Sequence, residues 1–345
     1  MGLKKIGMVI IARDKFGGLE RRFARLAQFL PNVLLFANQD AITELQRQGI
    51  AIPANRLFVL PGHATDVGFR KAMSRIQALF ALLVRHRTKV DHFHLVMNPG
   101  YFPSIYSLLA PKKPTFSIPI VNYNLKFTNL ALRLSTRRAK FVDCLSETIQ
   151  ERALERLRTR KVDQFLVAPC SFTDYSKVAK NVKRDIDVCT MSRFVPGKGI
   201  EMFVQALEKL PPMEAHICGY GSLDVQTTRA RVYDTTEPFG VLGRTKIFLS
   251  LQTIENYPSQ SLLEAMASGC AIIATDVGET RRMLDERCAI FVSPGDTKGL
   301  EAAIMALLNN PDRRERMGTV ARERATSEHT IQRYASYFLD AVNSP

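Results

Sequence analysis

The chain has 345 residues, which at roughly 150 residues per domain points to two domains. Hydrophobic residues make up 46% and charged residues 23%, ordinary for a globular protein, which excludes a disordered tail or a fibrous repeat. The net charge of +15 belongs wholly to the first half: residues 1–180 hold 29 Lys and Arg against 12 Asp and Glu, and residues 181–345 hold 19 against 21.

The chain opens as strand, glycine turn and helix. Ile6–Ala12 is a short apolar run between Lys4-Lys5 and Arg13-Asp14-Lys15, and no small-residue cleavage site follows. It reads as a buried first strand and not as a secretion signal. Gly17-Gly18 makes the turn, and Glu20–Leu30 carries Phe23, Leu26, Ala27 and Leu30 at helical spacing. The alternation predicts further strands at 32–37, 57–60, 92–97, 115–121 and 140–145, with helices at 42–48, 70–87, 104–110 and 146–158. After a strand at 165–168 comes a polar stretch rich in Ser, Asp and Lys, 169–183, where the domain boundary is placed. The rhythm then restarts, with strands at 185–191, 214–218, 246–251, 271–275 and 289–292 and helices at 198–210, 261–268, 280–284 and 297–309. A charged, mostly helical segment, 311–342, closes the chain. Such alternation predicts an α/β fold of two doubly wound parallel-sheet domains facing across a cleft, residues 1–180 and 181–325. Residues 326–345 are expected to pack back on the first domain. Ligands of such sheets collect at the carboxyl ends of the strands.

No apolar run approaches the ~18 residues of a membrane-spanning helix. A cytoplasmic protein, peripheral on the inner face of the membrane, is therefore expected. Six cysteines without any Cys-x-x-Cys spacing argue against zinc or a disulfide framework. The basic first half points to an anionic partner, either a membrane surface or a lipid-linked or glycan acceptor. Nucleic acid is not expected, because no reader motif is present and the chain has no Trp.

Two constellations carry chemistry. Ser192-Arg193 ends a strand, and Lys198-Gly199 opens the next helix. Two cations five residues apart at a helix N-terminus suit a diphosphate. In the second, Glu255 to Gly269, Ser261-x-x-Glu264 has the spacing of a capping box. Glu264 also fits a carboxylate that accepts from a ribose diol, and the N–H groups of Ser259, Gln260 and Ser261 would face a phosphate. Spacing leaves both roles of Glu264 open.

Together these segments resemble the retaining, nucleotide-sugar-dependent glycosyltransferases of the GT-B fold that build bacterial lipopolysaccharide and other polysaccharides. The resemblance rests on Gly17-Gly18-Leu19-Glu20-Arg21, on Ser192-Arg193-Phe-Val-Pro-Gly-Lys198-Gly199, on Cys218-Gly219-Tyr220-Gly221, and most specifically on Leu263-Glu264-Ala-Met-Ala-Ser-Gly269 with Ala274–Gly278. It implies that Arg193 and Lys198 bind the donor diphosphate, that Glu264 holds the ribose, and that Gly17, Gly18 and Gly219 approach the phosphates. Glu255 would touch the donor sugar, although the spacing to Glu264 is one residue longer than the family's and strict spacing selects Asn256. Asp91-His92-Phe93-His94 is similar to an Asp-x-x-His of relatives, which makes His94 a catalytic candidate; as a lone histidine it is equally a core residue. A nucleobase wall is expected near Gly240–Gly243. The donor would be UDP- or GDP-linked, with no cofactor. Transfer without a metal is expected on the view that the chain has no Asp-x-Asp motif. A GT-B sugar epimerase is the alternative, and a nicotinamide dehydrogenase is disfavoured because Gly-x-Gly-x-x-Gly is missing after the first strand.

Overall fold

The computed structural model describes residues 4–11, 18–118, 126–158, 162–179, 182–234, 237–255, 257 and 259–344. They form two compact units, Met1–Pro169 with Tyr334–Pro345, and Cys170–Arg333.

The first unit comprises β1 (Ile6–Ile10), α1 (Gly18–Phe29), β2 (Val33–Asn38), α2 (Gln39–Arg47), β3 (Leu57–Leu60), α3 (Gly68–Phe80), β4 (His92–Val96), α4 (Tyr101–Leu109), β5 (Thr115–Ile118), α5 (Lys126–Thr136), β6 (Val142–Cys144), α6 (Glu147–Leu157) and β7 (Phe165–Val167). The strands are all parallel, in the order β3-β2-β1-β4-β5-β6-β7. Every residue of β1 is buried, as a continuous apolar run between two covered faces requires. The sequence pattern did not predict α5. Its inward positions include Ser135 and Thr136, both buried, so the helical period is written partly in hydroxyl residues. Ser135 Oγ lies 3.1 Å from Ser104 Oγ, and Thr136 Oγ1 donates to Leu132 O at 2.8 Å.

The second unit comprises β8 (Ile186–Met191), α7 (Ile200–Leu207), β9 (Ala215–Cys218), β10 (Arg231–Tyr233), α8 (Pro238–Arg244), β11 (Thr245–Ser250), α9 (Gln260–Ala267), β12 (Ala271–Thr275), β13 (Ala289–Val292), α10 (Thr297–Leu308) and α11 (Pro311–Glu328); α12 (Ile331–Asn343) follows and joins the first unit from Tyr334 on. Its parallel sheet has the order β10-β9-β8-β11-β12-β13. Phe203 of α7 and Leu300 and Ile304 of α10 belong to one apolar cluster, and Leu242 of α8 and Leu262 and Met266 of α9 to another. β10 and α8 were not anticipated, being respectively a three-residue edge strand and a helix of two turns opened by Pro238. The segment at 280–284 is a single 3-10 turn, Thr280–Arg282. All six cysteines are free and buried. Among the described residues, no helix is long and apolar enough to cross a membrane.

A buried polar network ties α12 to the first sheet. Asp143 of β6, wholly buried, accepts hydrogen bonds from Tyr334 Oη and Tyr337 Oη, each at 2.8 Å, and from Ser117 Oγ at 2.5 Å. Phe338, Ala341 and Val342 continue the buried face of α12. At the helix's carboxyl end the Lys4 and Lys140 ammoniums donate to Val342 O at 3.4 and 2.8 Å, where cations favour a helix terminus. Asp143→Ala would take the acceptor from two buried hydroxyls, Ser117 and Tyr334, and from the part-buried Tyr337, at about 1–3 kcal/mol each. Urea unfolding should therefore show a loss of roughly 3 kcal/mol or more in stability.

Candidate functional site

In the second sheet β8 and β11 are neighbours, but the chain leaves β8 toward β9 and leaves β11 toward β12. The crevice beyond their carboxyl ends is therefore a topological switch point, where α/β sheets bind ligands.

The loop after β8, residues 192–199, is clamped on both sides. Ser192 N–H donates to Cys218 O at 3.0 Å and Phe194 N–H to Tyr220 O at 2.7 Å. Glycines permit this approach: a Cβ on Gly219 would lie 1.8 Å from Ser192 O, and one on Gly221 would lie 2.1 Å from Phe194 O. On the other side Thr253 N–H donates to Gly197 O at 3.0 Å. Gly199, at φ 72°, caps α7 so close to β11 that a Cβ would fall 1.9 Å from Leu251 O. This is why α7 begins at Ile200 and not at Lys198.

The clamped loop carries the two cations. Arg193 is exposed, whereas Lys198 is only 9% exposed, and among the described residues neither makes an ion pair. The Lys198 pKa is pushed down to about 8, first by burial and then by the charge of Arg193. A buried ammonium beside a second cation is costly, and an entering anion would relieve that cost.

The loop from β11 leads to α9. Its N-cap is Ser259, whose Oγ accepts from Leu262 N–H at 3.4 Å, so the capping box expected at Ser261 and Glu264 is not formed. Glu264 instead sits in mid-helix, 4% exposed, and accepts from Thr173 Oγ1 at 3.4 Å. Gln260 Nε2 donates to Ser171 Oγ at 2.6 Å, leaving the backbone N–H groups of Gln260 and Ser261 at the head of the helix. Ser171 and Thr173 lie in the polar stretch read as a linker; Phe172 between them is buried and anchors it. Nothing in their spacing marked them. Ser171 N–H also donates to His329 Nδ1 at 3.4 Å, and burial pushes the His329 pKa down to about 4. Glu255 lies over Gly278, where a Cβ would fall 2.6 Å from its Cγ, beside the exit of β12. Asn256 and Gly17 lie outside the described residues, and Gly18 is the first residue of α1.

Three expectations are corrected. His94, a catalytic candidate by its motif, is the middle residue of β4, 0% exposed, between Phe23, Phe141 and Phe338. Its Nε2 lies 2.9 Å from Ser117 Oγ and its Nδ1 2.8 Å from Thr115 Oγ1. Ser117 spends its hydroxyl proton on Asp143, so Nε2 carries the imidazole hydrogen and Nδ1 accepts from Thr115. Wholly buried, and with its pKa pushed down by burial to about 3, it is a neutral core histidine. Asp91 of the same motif exchanges hydrogen bonds with the Lys5 backbone, both at 2.8 Å. Gly240–Gly243 lies in α8, which enters the amino end of β11, on the side away from the switch point. An Asp-x-Asp does occur, Asp185-Ile186-Asp187, at the amino end of β8. Asp185 pairs with Arg244 at 2.7 Å, and Asp187 with Lys246 at 2.6 Å and with Glu214 N–H at 3.0 Å.

Two doubly wound sheets with a cationic loop at one switch point define a GT-B architecture. Over 99% of this chain and 100% of the other, the fold matches the Anabaena protein Alr3699/HepE in complex with UDP and glucose, at a TM-score of 0.79 and 16% identity. Residues 195–340 match the family described as glycosyl transferase-like. The chain thus carries a glycosyltransferase-like domain on a GT-B fold. Among curated relatives, the MMP α-(1→4)-mannosyltransferase of Mycolicibacterium hassiacum is 30% identical over 135 residues, 39% of this chain and 32% of that one. Glycogen synthase of Mycobacterium tuberculosis is 27% identical over 156 residues, 40% and 38% of the two chains. These matches span about a third of the relatives' length.

Gly199→Ala combines a left-handed φ with a backbone clash, for a cost of roughly 3 kcal/mol. The variant should melt well below the parent in calorimetry, whereas Gly295→Ala, also at positive φ but with nothing within 4 Å of an added Cβ, should lose less.

Proposed function

We propose that the protein transfers a sugar from a UDP- or GDP-linked donor to a membrane-associated glycan or lipid-linked acceptor, in lipopolysaccharide or exopolysaccharide assembly. Transfer proceeds with retention and without a metal or other cofactor. The observation that carries the reading is Lys198, a buried cation beside Arg193, at the carboxyl end of β8, with no ion-pair partner among the described residues. In this reading the two cations and the N–H groups heading α9 hold the donor diphosphate. As the bond from the anomeric carbon to the diphosphate oxygen breaks, they stabilise the charge growing on that oxygen. Glu264 accepts from the ribose hydroxyls, Thr173 fixes its carboxylate, and Glu255 contacts the sugar. The activities named for the curated relatives and the UDP bound in the Anabaena neighbour support a nucleotide-sugar donor. The basic first half would hold the protein at the anionic inner face of the cytoplasmic membrane, each exposed cation adding about 1 kcal/mol.

A thermal-shift panel of UDP-, GDP- and ADP-sugars tests the donor. Lys198→Ala and Arg193→Ala should each weaken binding about tenfold or more, a loss of about 1.4 kcal/mol or more. Unchanged binding in both overturns the diphosphate role. Lys198 is charged below its pKa of about 8, so donor affinity should be full near neutral pH and fall as pH rises through about 8. Lys198→Arg should remove that fall.

A further inference from the structure

α3 is apolar on two opposite sides. One side packs inward through Ala78 and Leu79 and continues through the π-helical turn Ala81–Arg85 with Ala81 and Leu82. The other carries Phe69, Met73, Ile76 and Phe80, spaced four, three and four residues apart and so aligned in one stripe. Phe69, Ile76 and Phe80 are 77%, 59% and 62% exposed, and Val67 and Val84 beyond the ends of α3 are exposed as well. A contiguous apolar stripe open to water marks an interaction surface.

The charges around the stripe select its partner. Between Asp66 and Asp91 the chain carries Arg70, Lys71, Arg75, Arg85, Arg87 and Lys89 and no acidic residue. Arg75 lies over the ring of Phe102 on α4, 5.7 Å from its centroid, and α4 exposes Tyr101, Ile105 and Leu109 in turn. Apolar side chains flanked by Arg70 and by Arg85 beyond the helix complement a bilayer with anionic headgroups, into which such a helix sinks ~5–10 Å. A second copy of the chain fits poorly, because two-fold pairing sets this wholly cationic helix against itself.

We propose that α3 is an interfacial membrane helix that inserts Phe69, Met73, Ile76 and Phe80 among anionic phospholipids while Arg70 and Arg85 meet their phosphates. The proposal rests on the membrane-facing reading of the basic first half and adds an apolar component that salt does not screen. The chain has no Trp, so Phe69→Trp installs a single reporter. With vesicles containing phosphatidylglycerol its emission should shift to the blue and be quenched by brominated acyl chains. Phe69→Ser combined with Ile76→Ser and Phe80→Ser should cut vesicle co-sedimentation at high salt about tenfold or more, with circular dichroism and Tm unchanged. Undiminished binding by the triple variant, with an unshifted Trp and full release of the parent by salt, overturns insertion and leaves charge-only attachment standing. A parent chain that binds no anionic vesicle overturns both. Lipid-free dimerisation of the parent that the triple variant abolishes assigns the stripe to a second copy and overturns the lipid assignment.

Discussion

The second unit depends on one constraint: three strand exits must approach closely enough to hold an eight-residue loop rigid. Gly219 and Gly221 let the end of β9 lie against Ser192 and Phe194, and Gly199 lets the loop lie against Leu251. Any side chain there would separate these backbones by more than an ångström. The cations gain their position from that contact and not from packing of their own. Arg193 stands in solvent while Lys198 is drawn below the surface, because Gly197 before it accepts from Thr253 and Gly199 after it lies against Leu251, both just past β11. Burial of Lys198 in turn lowers its pKa, so the electrostatics of the loop follow from glycine placement.

The first unit uses buried polarity for cohesion instead. Thr115, His94, Ser117 and Asp143 form an unbroken chain of donors and acceptors, and the two α12 tyrosines end it at the Asp143 carboxylate. Each member has a partner, which is the condition under which a buried polar network stabilises and specifies a fold. A histidine held on both nitrogens, between three phenylalanines, serves here as a neutral member of the network.

Both sheets and most of their helices were legible in the sequence, because fully covered parallel strands are written as continuous apolar runs and the helices between them keep their period. The Arg193–Lys198 loop was legible for a related reason, since glycine and charge stand at fixed offsets from a strand end. His94 was misread because its surroundings come from β5, α1 and α12, distant in sequence, and an Asp-x-x-His spacing carries nothing of that burial. Thr173 escaped notice because a short hydroxyl residue in a polar stretch has no signature until the partner carboxylate is known. The Asp-x-Asp at Asp185 has the spacing of a metal motif, but the structure pairs its carboxylates with Arg244 and Lys246. On α3 the apolar period was plain, but a period cannot say which of two apolar faces is the buried one.

The two halves place positive charge in different dielectric surroundings. At Lys198 water is largely excluded, so a single ammonium would interact strongly with an anion at the switch point. On the outside of the first unit each charge is screened within about 10 Å by salt and contributes little. The proposed attachment there would draw on many such charges, and residues 1–180 carry 29 Lys and Arg in all. Even that excess would yield to ionic strength, whereas an apolar stripe does not. Under the proposed insertion of α3, pairing the two on one helix would make adhesion robust to salt yet selective for negative surfaces.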